Sequence, residues 1–212
     1  MTFITAQQAL IDSGHRLGAR GWLRATSGNL SVKIDNDPLT LAITCSGSDK
    51  QQLDASQIIG VSSARVIWGE GRPSAETGIH QAIYKRTSAN AVLHVHTVYN
   101  NLVSQWADSQ WLILHGNEML KALGLWQEDA VLALPVLPNY ADLGRLADEV
   151  YRVLDPAIPG ILIRGHGIYA FGVTLEQATT HLEAFEYLFE WFYYQQLAHL
   201  TVPRRAAWEI HH

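Results

Sequence analysis

Apolar residues recur every third or fourth position in several stretches of the chain and alternate with polar ones in shorter stretches. Spacing alone therefore assigns most elements. Residues 5–20 (TAQQALIDSGHRLGAR) read as a helix with Thr5 as N-cap, Ala6, Leu10 and Leu17 on one face, and Gly21 as its stop. Alternation of Leu30, Val32 and Ile34, a turn at 35–38 and then LTLAITC predict a β-hairpin over 29–45. Short strands follow near 57–61 and 65–68. Pro73 and Ser74 open a helix over 75–87 with Ile79, Ile83 and Tyr84 inward. AVLHVH (91–96) reads as a strand, 97–106 as a helix, and 111–114 and 131–136 as further strands. Residues 140–154 carry Leu143, Leu146, Val150 and Leu154 at helical spacing, and Pro156 and Pro159 then separate them from two strands, GILIR and GIYAFG.

The last helix starts at Thr174, with Gln177 completing a capping box. Leu175, Ala178, Leu182, Phe185, Phe189 and Phe192 form one apolar stripe. Tyr187, Trp191, Tyr193 and Tyr194 extend the aromatic surface beyond it, so these side chains either cover the sheet or face another subunit. Helices and strands alternate, hairpins are mixed in, and no repeat or long linker divides the chain. The expected architecture is one α/β domain over residues 1–212, a three-layer αβα arrangement around a mixed sheet.

Composition adds exclusions. Twenty Asp+Glu against fifteen Lys+Arg leave a net charge of −5, which gives no overall attraction to nucleic acid or to anionic lipid. Cys45 is the single cysteine, so no internal disulfide forms. The N-terminal residues lack the basic and apolar regions of a signal peptide, and no apolar run suits a membrane helix. A soluble cytoplasmic protein with no nucleic-acid or membrane partner is the expectation.

Ten histidines are the main chemical signal. His94 and His96 stand two apart on a strand, where side chains share a face and two imidazoles can converge on one ion. In isolation, a His-x-His pair is more often two unrelated histidines at a sheet edge. A third ligand would come from His166, between glycines in RGHG, or from His115 at another strand end. His15, His80, His181 and His199 fall on helices, where surface or capping roles are expected, and His211 and His212 stand at the terminus. Glu76 and Glu118 each open a helical segment, where the helix dipole alone accounts for a carboxylate, but either can serve a metal site as a base. Ser27–Gly28–Asn29, Ser46–Gly47–Ser48 and Ser74 are small-residue turns suited to an anion, and Lys50 adds charge. The chain has no P-loop, no Gly-x-Gly-x-x-Gly and no Gly-x-Ser-x-Gly elbow.

In order, TSGNLS, CSG, PSAE, HVH and RGHG resemble the class II aldolase/adducin family over about 5–197. The resemblance implies an αβα fold with a largely antiparallel central sheet and a C4 homotetramer. It also implies a sugar-phosphate substrate and one divalent metal per subunit, usually zinc, held here by His94, His96 and His166. It assigns the phosphate to Gly28, Asn29, Ser46, Gly47 and Ser74. Within the family, HGNEMLKALG looks like the matching segment of the methylthioribulose-1-phosphate dehydratases of methionine salvage. Those enzymes use the Glu118 position as acid/base, whereas the aldolases place their principal carboxylate at the Glu76 position. Both residues are therefore candidate catalytic groups, and the alternative to a dehydratase is an aldolase or epimerase. A non-enzymatic adducin-like head would be expected to lack the three histidines, and a purely structural metal site would require a fourth protein ligand.

Overall fold

The computed structural model describes residues 1–63, 65–107 and 110–201. Its strands are β1 (Asn29–Asn36), β2 (Leu39–Thr44), β3 (Ile58–Ser62), β4 (Arg65–Trp68), β5 (Ala91–Val95), β6 (Trp111–His115), β7 (Val131–Leu137), β8 (Gly160–Ile163) and β9 (Gly167–Gly172). The helices are α1 (Phe3–Ala19), α2 (Thr77–Arg86), α3 (Val98–Ser104), α4 (Leu143–Val153) and α5 (Leu175–Thr201), and a 3-10 segment spans Glu118–Leu123.

The strands make one sheet in the order β4-β3-β2-β1-β5-β9-β8-β7-β6. Every neighbouring pair is antiparallel except β7 and β8, as the mixed, largely antiparallel expectation required. Strand alternation sorts side chains into two cores. Leu30, Val32, Leu93, Val95, Ile168 and Ala170 face α1, α3 and α5, whose contribution includes Leu10, Leu17, Val103, Leu182, Phe185 and Phe189. Val92, Tyr169 and Phe171 face the other way, against Ile79 and Ile83 of α2 and Leu146 and Val150 of α4. His94 shares the parity of Val92 and so enters the sheet face covered by α2.

Several ends differ from the sequence reading. The Thr2 side chain, not that of Thr5, caps α1 by accepting the Thr5 N–H. Helix α2 starts at Thr77, leaving Glu76 at the cap position with its carboxylate turned to other partners. At α5, Thr174 Oγ1 accepts the Gln177 N–H as expected, but the Gln177 side chain accepts from Val173 N, one residue before the cap. Tyr193 packs on Trp106 of the segment after α3, with ring centroids 5.5 Å apart and planes within 9°. Tyr187 and Tyr194 remain exposed. His211 and His212 lie outside the described residues.

Candidate metal centre and active site

The central strands β1, β5 and β9 bring the chemistry to one end of the sheet. His94 lies near the end of β5, opposite Asn29 of β1 on one side and Tyr169 of β9 on the other. His96 follows just beyond the strand, and His166 lies in the turn that enters β9. The three imidazoles have ligand atoms all within 4.8 Å of one another, so the fold brings His166 to the pair in a group that could hold a metal ion. Antiparallel pairing carries His115 away: it ends β6, four strands from β5 (about 19 Å at the usual spacing) and at the opposite end of the sheet.

Two of these rings have their tautomers assigned by their partners. His94 Nδ1 donates to Ile168 O at 3.0 Å, and His166 Nδ1 faces Asn139 Oδ1 at 3.3 Å. Both Nε2 atoms are therefore left with lone pairs directed inward. His94 Nε2 lies 2.8 Å from His96 Nε2 and 3.5 Å from a Glu76 carboxylate oxygen, and His166 Nε2 lies 3.1 Å from the other. Three imidazole nitrogens and a carboxylate converging on one point are ligands that a divalent cation accepts, so the donor set fits a metal.

Electrostatics agree. Burial pushes His96 down to about 4, helped by neighbouring His166, and pushes His94 well below the ordinary range against the opposing pull of Glu76. Both rings are thus neutral near pH 7, the state a metal requires. Burial raises the Glu76 carboxyl, but His94, His166 and the Asn29 amide outweigh it and hold the group well below the usual carboxylate range. Glu76 is consequently an ionised carboxylate facing the three histidines.

A chain of buried groups holds that carboxylate. Asn29 Nδ2 donates to Glu76 Oε2 at 2.5 Å, and Asn29 Oδ1 accepts from His80 Nε2. His80 Nδ1 then accepts from Ser31 Oγ at 2.7 Å, and Ser31 pairs with Tyr84 Oη at 2.6 Å. His80 is fully buried, correcting the surface or capping role expected of it. Its four-residue spacing from Glu76 on a helical stretch was the available signal. His181 is also buried, its Nδ1 donating to Phe171 O at 2.7 Å. Tyr169 stacks on His94, with centroids 3.9 Å apart, and its buried hydroxyl is held well above the ordinary tyrosine range by burial and by the neighbouring Glu76. Tyr169 and Asn139 were not picked out from the sequence, since nothing local marks them.

The three small-residue turns are adjacent. Ser46 N donates to Arg72 O, placing that turn beside Ser74, and Lys50 Nζ reaches Thr26 O at 2.5 Å, joining it to the segment before Gly28. Gly28 has φ +73°, and a Cβ there would meet His94 O at 2.5 Å, so only glycine lets this turn lie on the metal strand. Gly47 has φ +76° and faces open space, Ser74 Oγ accepts Glu76 N at 3.3 Å, and buried Ser27 Oγ has no hydrogen-bond partner among the described residues. The Asn29 side chain is engaged by Glu76 and His80. Glu118 is elsewhere. Its side chain is 82% exposed, it pairs with Lys121, and it follows His115 at the far end of the sheet.

Comparison with known proteins places this geometry. The model of the class II aldolase and adducin N-terminal domain matches residues 8–193. The chain is 44% identical over 189 residues, 88% of each chain, to a methylthioribulose-1-phosphate dehydratase of Persephonella marina. It is likewise 44% identical to one from Geobacillus kaustophilus, over 82% of this chain and 85% of that one. Among solved structures, the L-fuculose-1-phosphate aldolase of Thermus thermophilus is similar with a TM-score of 0.76 and 25% identity, covering 95% of this chain and 100% of that one. Sequence, sheet order and histidine triad thus agree, and the chain belongs to the class II aldolase/adducin family.

Proposed function

We propose that this chain is a hydro-lyase that dehydrates 5-methylthioribulose 1-phosphate to 2,3-diketo-5-methylthiopentyl 1-phosphate in methionine salvage. The observation that carries the reading is a three-histidine site facing an ionised glutamate, in a chain 44% identical to dehydratases of that name. We assign zinc, one ion per subunit, to His94, His96 and His166. The same reading makes 1–212 a single domain and the working protein a cytoplasmic homotetramer.

His94, His96 and His166 would hold a divalent ion, which would supply the Lewis acidity that makes the C3 proton of the ketose more acidic. The residues supply the rest. Gly28, Asn29, Ser46, Gly47 and Ser74 are the phosphate site, with backbone amides and hydroxyls as donors and the buried Lys50 behind them. Fixing the phosphate places C3 and C4 before the carboxylate. Glu76 is ionised and faces the triad, so it is suited to take the C3 proton. The C4 hydroxyl leaves as water when it receives a proton, and the enol that remains tautomerises to the 2,3-diketone. Glu118 is the second acid/base group. Because it lies at the far end of its own sheet, it reaches a triad only as part of another copy of the chain, which the homotetramer provides.

The apolar end of the substrate has a matching space. A cavity of about 500 Å³ opens beside His96 and is walled by Trp22, Val98, Tyr99 and Leu102. Its size suits a small-molecule subsite, and its wall suits a methylthio group.

The testing experiment is turnover of methylthioribulose 1-phosphate by metal-loaded and chelator-treated protein, following diketone and small aldehydes together. Metal-dependent diketone is expected. Metal-dependent aldehydes instead would establish the second reading, an aldolase, which the position of Glu76 beside the triad favours.

A further inference from the structure

We propose that Glu186, acting through Thr97, Asn100 and Asn101, is a positioning residue of the metal centre that sets the distance between the His94–His96 pair and His166. Glu186 sits on α5 within the apolar face of that helix, one residue from Phe185 and three from Phe189, both fully buried. It is itself only 5% exposed. A carboxylate in such a place carries a desolvation cost that an apolar residue of similar volume would avoid. Its contacts show where it acts.

Thr97 Oγ1 donates to Glu186 Oε2 at 2.6 Å, and Asn100 Nδ2 donates to Oε1 at 2.8 Å. Thr97 directly follows His96 and caps α3, with Thr97 and Asn100 exchanging side-chain and backbone bonds. Asn100 Nδ2 also reaches Val95 O at 3.2 Å, the carbonyl between the two histidines. The carboxylate therefore holds the residue after His96 directly and the residue before it through Asn100.

The same short helix holds the third ligand. Asn101 Nδ2 donates to His166 O at 2.8 Å and lies 3.0 Å from Asn100 Oδ1. Ser104 Oγ accepts Gly165 N at 2.8 Å, and Arg164 reaches Ser104 O at 2.7 Å. Helix α3 is thus a strut between the two ligand-bearing segments, and Glu186 is its buried anchor on α5. The contacts of these groups run to the segments that carry the histidines, so the effect is on ligand spacing. Partners of this kind around metal ligands typically change metal affinity by about 10–100-fold when removed.

This inference rests on the metal reading above, and cobalt(II) titration of the metal-stripped full chain, followed by its visible absorption, separates the two. Wild-type protein should bind cobalt, and failure to do so would overturn the metal reading itself. Glu186→Leu should weaken cobalt binding by about 10-fold or more and alter the absorption band, because Thr97 and Asn100 lose their shared acceptor. Glu186→Gln keeps an acceptor and should stay within about three-fold of wild type. Asn101→Ala cuts the link to His166 without touching the buried carboxylate, and should also weaken binding by about 10-fold, so the proposal is tested even if the leucine variant does not fold. A role in stability alone would lower the melting temperature while leaving cobalt affinity and spectrum unchanged. That result in Asn101→Ala and in any folded Glu186→Leu would overturn the proposal.

Discussion

At the scale of single residues, Glu76 shows how burial and charge compete. Desolvation favours the neutral acid, yet the neighbouring His94 and His166 and the donating Asn29 amide hold it well below the usual carboxylate range. Glu76→Gln preserves volume and removes the base, so cobalt binding should persist while turnover falls about 10²–10⁴-fold in a steady-state assay. His80 illustrates the opposite balance. Burial holds it down to about 4, against about 6.5 for an exposed imidazole. Between those values the unfolded chain takes up a proton that the folded protein does not, so stability is present above about pH 6.5 and is lost as pH falls toward 4. Chemical denaturation across that window should show the loss, about 3 kcal/mol from this residue. His80→Phe should remove its share of the slope. It should also lower stability at pH 7, because Asn29 Oδ1 and Ser31 Oγ lose their ring partner.

At the scale of elements, the site depends on where strands approach one another. A Cβ on Gly167, the first residue of β9, would collide with Val95 O and lie 2.8 Å from His96 Cδ2 and 2.9 Å from His94 Cε1. The small residue is what allows β9 to start beneath the histidine pair. Gly167→Ala should therefore displace both rings, and metal affinity measured by competition with a chelator should drop about 10-fold or more. The hairpin, the strand alternation and the stripe on α5 were legible because each is a local period imposed by core contacts. The ends were less legible. The start of α2 and the box at α5 were displaced because Glu76 and Gln177 found partners outside the local pattern.

At the scale of the whole molecule, sheet topology separates the two glutamates that the sequence marked as equivalent candidates. Glu76 meets the triad inside one chain, whereas Glu118 is exposed at the opposite end of the sheet. If sites form between copies, mixing two inactive variants has a definite outcome. Glu118→Gln supplies intact histidines and His96→Ala supplies an intact Glu118, so co-assembled subunits should recover about a quarter of the wild-type rate. Absence of recovery in a verified mixed oligomer would confine the chemistry to one chain and remove Glu118 from it. The exposed Tyr187 and Tyr194 belong to the same question, since oligomer formation measured by light scattering reports whether such surface is covered.

The sequence by itself determined the alternation of elements, the two cores, the His94–His96 pair and the small-residue turns. These follow from spacing along one strand, helix or turn, which is a property of neighbours in the chain. Tertiary structure decided between His166 and His115, found the buried chain from Glu76 to Tyr84, and separated Glu76 from Glu118. Each of these turns on which strands are neighbours and in which direction they run, and pairing between distant segments leaves no period in the sequence.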